Sequence, residues 1–127
     1  MASDKKTVLV IDDEPDVVTF ITTVLQDHGY ATMTARDGKE ALEQVRARRP
    51  DLITLDVTMP ERSGVRFYRD MKLAPETKAI PIVIITGVSE DFQGFISSRR
   101  RVPPPEGYIS KPLSPEELVA TVGKLLA

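Results

Sequence analysis

Three carboxylates, a hydroxyl and an ammonium stand where the apolar runs of this chain end. Asp12 and Asp13 follow the run Thr7–Ile11, Asp56 follows Leu52–Leu55, Thr86 closes the run Ile80–Ile85, and Lys111 follows Tyr108–Ser110. If the first and third runs lie side by side, the three acids share one cleft. Like charges held about 4 Å apart repel by roughly 4 kcal/mol at an effective dielectric near 20, so the acids call for a cation. A hard divalent ion such as Mg²⁺ suits them, because it takes oxygen ligands, keeps some of its waters and commonly bridges carboxylate and phosphate. Lys111 adds a second positive charge and Thr86 a hydroxyl donor. An ionised carboxylate is already a nucleophile and needs no general base. A carboxylate, a metal, an ammonium and a hydroxyl together can stabilise a phosphoryl group in transfer, with a carboxylate as its acceptor.

These side chains need elements to hold them, and the apolar pattern supplies the elements. Runs of strand length alternate with amphipathic stretches of helix length. Thr7–Ile11 reads as a buried strand, and Asp16–Asp27 carries a helical stripe of Val17, Val18, Ile21, Val24 and Leu25. Pro15 suits the first turn of that helix and Gly29 its end. Tyr30–Thr34 is a second strand. Asp37 and Glu40 have capping-box spacing ahead of Ala41, Leu42 and Val45. Leu52–Leu55, Ile80–Ile85 and Tyr108–Ser110 read as the third, fourth and fifth strands, and Val65–Leu73 and Ser89–Arg101 as the third and fourth helices. Ser114, Pro115 and Glu117 combine an N-cap, an N1 proline and an N3 acid before a last stripe of Leu118, Val119, Val122 and Leu125. Five strand–helix units in strict alternation predict an α/β fold, a doubly wound five-stranded parallel sheet with helices on both faces. Near-continuous apolar strands fit it, since parallel strands are buried on both sides. In such sheets ligands bind beyond the carboxyl ends of the strands, where the five polar residues fall.

Four segments in this order resemble the response-regulator receiver domain of two-component signalling, in the stand-alone form similar to chemotaxis regulators. They are Val10-Ile11-Asp12-Asp13-Glu14, Asp56-Val57-Thr58-Met59-Pro60 with Gly64 beyond, Ile84-Ile85-Thr86-Gly87, and Tyr108-Ile109-Ser110-Lys111-Pro112. Each is weak alone; the four in register are specific, and they span essentially the whole chain. The resemblance implies a flavodoxin-like sheet of order 2-1-3-4-5 and a single receiver domain over residues 1–127 with no output domain. It implies that Asp56 is the phosphoacceptor, that Asp13, Asp56 and the backbone carbonyl of Thr58 ligate Mg²⁺, and that Asp12 acts on the metal mainly through water. It implies that Lys111 pairs with the phosphoryl oxygens, that Thr86 turns toward them, and that Tyr108 moves inward as Thr86 vacates its space. The Lys111–Pro112 peptide is expected to be cis. The donor would be a histidine kinase or a histidine phosphotransfer protein. The output would be a protein-binding surface made by the fourth helix, the fifth strand and the last helix, with a downstream protein as its target. Such a protein catalyses only its own phosphorylation and dephosphorylation. Thr58 and Val88, two residues beyond Asp56 and Thr86, would flank the attacking water. Apolar Val88 should lengthen the life of the phosphoryl group, which a comparison of dephosphorylation rates with Val88→Glu would read.

Composition narrows the alternatives. The 127 residues carry 41% hydrophobic and 28% charged side chains and a formal net charge of -2, which makes no whole-chain case for binding nucleic acid or an anionic membrane. There is no cysteine, so disulfides and thiolate chemistry are out and a reducing cytoplasm is the expected setting. The opening residues form neither a signal peptide nor a membrane span. A phosphatase of the dehalogenase type would place its nucleophile in an Asp-x-Asp motif after the first strand, which Asp12-Asp13-Glu14 does not supply. A binding-only relative of the fold would have no use for the intact set of acids, Thr86 and Lys111. His28 reads as a solvated group favourable to a helix end. Arg99, Arg100 and Arg101 with Pro103, Pro104 and Pro105 read as a basic helix end stopped by prolines. The sharper reading of Arg99–Pro105 is a docking loop on the output face, for which charge reversal of the three arginines and a partner-affinity measurement is the test.

Overall fold

The structure is a computed structural model and describes residues 5–56, 63–86, 106–110 and 113–126. Within these, the elements are β1 (Thr7–Ile11), α1 (Pro15–Asp27), β2 (Ala31–Ala35), α2 (Gly38–Ala47), β3 (Leu52–Asp56), α3 (Ser63–Leu73), β4 (Ile82–Thr86), β5 (Gly107–Ser110) and α4 (Pro115–Leu126). The five strands form one sheet in the order β2-β1-β3-β4-β5, every pairing parallel. The expected fold class and strand order are both found. The helix expected over Ser89–Arg101, together with Thr58, Val88, the Arg99–Pro105 segment and Lys111 with its bond to Pro112, lies outside the described residues.

Strand pleating explains how one apolar run serves two cores. Successive side chains point to opposite faces. Leu9 and Ile11 therefore join Ile53, Leu55, Ile82 and Ile84 under α2 and α3, with Phe67, Tyr68 and Met71. Val8 and Val10 join Leu52, Val83, Ile85 and Ile109 under α1 and α4, with Ile21, Leu25, Leu118 and Val122. Fully burying each such aliphatic side chain contributes about 1.5–3 kcal/mol relative to leaving it exposed, so both faces of the sheet are strongly held.

The ends of the elements follow their sequence signals. Helix α1 closes in a Schellman arrangement: Gly29 N–H donates to Gln26 O and Tyr30 N–H to Leu25 O, both at 3.1 Å. Gly29 takes φ +92 to do so, a left-handed conformation that glycine adopts without a Cβ penalty. That cap consumes Tyr30, so β2 runs one residue later than its hydropathy suggests. His28 is exposed there, with Nδ1 2.9 Å from Val24 O. At α2, Asp37 Oδ1 accepts the Glu40 N–H at 2.8 Å, while Glu40 Oε1 accepts the Arg36 N–H at 2.7 Å. Strand β4 starts at Ile82 rather than Ile80, because the Ile80 N–H closes a turn on Thr77 O and Pro81 has no N–H to give. Pro81 still accepts the Ile53 N–H at 3.0 Å. Strand β5 includes Gly107, where an added Cβ would stand 3.2 Å from Thr121 Cγ2 on α4.

Candidate functional site

The register fixes where the polar residues come together. Val10 and Ile11 of β1 pair with Thr54 and Leu55 of β3, so the two strands end side by side. Asp12 continues β1 by donating its N–H to Ala35 O at 3.1 Å, and its side chain is 1% exposed. Its Oδ1 accepts the Glu14 N–H at 2.9 Å, a local turn of the kind aspartate favours. That turn aims the chain into α1, whose N-cap is Glu14 in extended conformation. The Glu14 side chain makes no cap hydrogen bond; Val17 and Val18 N–H both donate to the Glu14 carbonyl. Asp56 is the last residue of β3, 1% exposed, and pairs in register with Ile85.

Asp12, Asp13, Glu14 and Asp56 each offer a carboxylate oxygen, and these atoms lie within 4.8 Å of one another. Asp12 and Asp56 are buried while Asp13 and Glu14 are exposed, so the cluster has a buried floor and an open rim. Carboxylates this close repel by roughly 3–4 kcal/mol per pair at an effective dielectric near 20. An all-oxygen, all-anionic donor set with an exposed side fits a hard divalent cation that keeps part of its water, and does not suit a soft one.

The three expected acids are therefore brought together, and Glu14 joins them. Its signal in the sequence was only its place as third in the acidic run before Pro15. Thr86 ends β4 one residue beyond Ile85, the register partner of Asp56, and itself pairs with Ser110. Tyr108 pairs with Ile84 and is half-buried against the core that contains Tyr68 and Met71. Tyr68 has its hydroxyl pushed above the usual phenol range, first by burial, then by the charges of Glu106 and Tyr108. A groove of about 480 Å³ lies between α2 and α3, lined by residues such as Leu42, Val45, Met71 and Thr77 and by none of the clustered acids.

A doubly wound sheet of order 2-1-3-4-5 with an acidic cluster beyond its central strands defines a class of α/β module with a cation-type pocket at the switch point. The chain belongs to the response regulator receiver domain family, whose model matches residues 8–123. It is 35% identical to Protein Rrf1 of Nitratidesulfovibrio vulgaris over 94% of this chain and 82% of that one. It is 34% identical to the alkaline phosphatase synthesis transcriptional regulatory protein PhoP of Bacillus subtilis, over 95% of this chain but 48% of the relative, so it spans about half of that protein. The high-resolution structure of the chemotaxis response regulator CheY4 of Vibrio cholerae superposes with a TM-score of 0.83 at 30% identity, covering 96% of this chain and 99% of that one. Receiver domains are signalling modules of two-component systems; as a family they bind Mg²⁺ at an acidic pocket and interact with histidine kinases and downstream targets. Among the described residues, no helix is long and apolar enough to cross a membrane.

Proposed function

We propose that this chain is a phosphorylatable receiver that takes a phosphoryl group on Asp56 from a histidine kinase or histidine phosphotransfer protein and switches a protein-binding surface. The observation that carries the reading is the clustering of Asp12, Asp13, Glu14 and Asp56 oxygens within 4.8 Å at the ends of β1 and β3. Asp56 is the acid held at the end of a central strand, so its position is fixed by the sheet. Its carboxylate oxygen forms the new O–P bond in line with the departing donor nitrogen, which takes the electron pair of the breaking N–P bond. Asp13, Asp56 and the Thr58 carbonyl would hold Mg²⁺ directly and Asp12 through water. That ion, when bound, neutralises charge on the phosphoryl oxygens.

Lys111 supplies the counter-charge to those oxygens, and the Thr86 hydroxyl turns toward them. Tyr108 then moves further inward, which biases the surface built from the Ser89–Arg101 segment, β5 and α4. The reaction is confined to the chain's own phosphorylation and dephosphorylation, and the setting is the cytoplasm. The output is contact with a protein, with no direct role for nucleic acid or membrane. Incubation with Mg²⁺ and acetyl phosphate, followed by intact mass, tests the reading. One phosphoryl adduct in the parent and none in Asp56→Asn is the expected result; no adduct in the parent would remove the proposal and leave a binding module.

A further inference from the structure

Helix α3 carries a buried ammonium that the acid cluster does not use. Lys72 is 3% exposed, although a lysine in the last turn of a helix ordinarily extends to water. Its Nζ donates to both carboxylate oxygens of Glu106, at 2.7 and 2.8 Å, and lies 3.5 Å from the Ile80 carbonyl. Glu106 is also bound to the sheet. Its Oε1 accepts the Ile82 N–H at 2.8 Å, and its own N–H donates to Ile82 O at 3.1 Å. The pair therefore ties the end of α3 to the first residue of β4 and to the residue just before β5. Taking an ammonium out of water is costly, and only close pairing with further hydrogen bonds offsets that cost.

The place of this pair in the fold gives it a consequence. Strand β5 is four residues long and, among the described residues, an edge strand hydrogen-bonded in the sheet to β4 alone. Glu106 precedes it and Tyr108 stands two residues further on. Tyr68, one turn before Lys72 on α3, is fully buried in the core against which Tyr108 packs, and its hydroxyl feels both Glu106 and Tyr108. One ridge of α3 thus holds the carboxylate at the start of β5 and the wall behind the Tyr108 ring.

We infer that the Lys72–Glu106 ion pair is a clamp that sets the position of Tyr108, making Lys72 and Glu106 positioning residues for the switch. With the clamp closed, β5 begins at a fixed height and the ring keeps its half-buried seat. With it open, the edge strand loses its tie to α3 and the ring moves toward solvent. The link to signalling rests on the receiver reading above, since it is phosphorylation at Asp56 that would draw on the ring's position; the clamp itself is a property of the unphosphorylated chain.

The test reads the Tyr108 ring by NMR with ¹³C-labelled tyrosine in the full chain, without phosphodonor; Tyr108→Phe assigns its signals among the chain's 3 tyrosines. Lys72→Met keeps the length of the buried side chain and leaves Glu106 able to rehydrate. Glu106→Gln strands the ammonium and is the variant at greater risk of unfolding. Thr77→Val is the control, because Thr77 Oγ1 donates to Met71 O at 2.7 Å at the same end of α3. The clamp predicts that Tyr108 resonances shift in Lys72→Met and stay in place in Thr77→Val. Unmoved Tyr108 signals in a folded Lys72→Met, or an equal shift in the control, would overturn it. Phosphorylation is then read separately by intact mass: Lys72→Met is expected to accept the group on Asp56 as the parent does. Absence of an adduct in both would defeat the receiver reading while the ring shifts still decide the clamp.

Discussion

At the residue scale the chain concentrates negative charge where β1 and β3 end. Asp13 sits on the exposed rim of the cluster, so solvent screens its share of the repulsion and its removal should be mild in effect. In the absence of Mg²⁺, Asp13→Asn is expected to stabilise the fold by about 1 kcal/mol, because one like charge leaves the cluster. With Mg²⁺ the order should reverse, since a ligand that binds only the folded state adds about 2.7 kcal/mol at a hundred times its Kd, and the variant binds it less well. Thermal melts with Mg²⁺ and with EDTA read both halves; a variant that gains from Mg²⁺ as much as the parent would show that Asp13 is no ligand. The acids after β1 and at the end of β3 were legible in the sequence because each ends an apolar run. Glu14 was not singled out, since its part depends on the turn that Asp12 makes with the Glu14 N–H. Lys72 was hidden for another reason. Its partner Glu106 is 34 residues away, and no local pattern marks a last-turn lysine as buried.

At the element scale the sequence was read most fully, and its misses have local causes. Periodicity located the strands, but β2 and β4 begin later than their apolar runs because Tyr30 serves a helix cap and Pro81 cannot donate. The N-terminus of α4 came out as its residues require. Ser114 Oγ accepts the Glu117 N–H at 3.2 Å and donates to Glu116 Oε1 at 2.9 Å. The Glu116 carboxyl is held below its ordinary value of 4.5, first by its own backbone N–H and then by the Ser114 hydroxyl. A depressed carboxylate stabilises the fold above its unfolded value and loses that contribution as pH falls through the folded one. The stability gap between the parent and Glu116→Gln, measured by urea melts, should therefore be open at neutral pH and close below about pH 4.5; a gap that stays constant across this range would contradict the cap. In the middle of β3, Thr54 is buried and its Oγ1 has no hydrogen-bond partner among the described residues. A buried hydroxyl left unpaired costs about 1–3 kcal/mol. Thr54→Val should accordingly raise stability by about 1 kcal/mol in the same assay, and a loss would mean that the hydroxyl is satisfied in solution.

At the scale of the whole molecule, the sheet divides the labour. Its two faces carry the cores, its carboxyl-terminal end gathers the acids, and its β5 edge is tied back to α3 by Lys72 and Glu106. Alternation of apolar runs was enough to read the doubly wound class. The strand order needed the likeness to receiver domains, because alternation alone does not say which parallel strands are neighbours. Everything converges on Asp56, the one acid that is both buried and placed at the end of the strand between β1 and β4. The most direct measurement traps the group where it lands. The chain is incubated with Mg²⁺ and acetyl phosphate and then reduced with borohydride, which converts an aspartyl phosphate to homoserine, and the peptides are sequenced by mass spectrometry. The account predicts homoserine at position 56, dependent on both Mg²⁺ and the phosphodonor. Aspartate retained at 56, or homoserine at 12 or 13 instead, would contradict it.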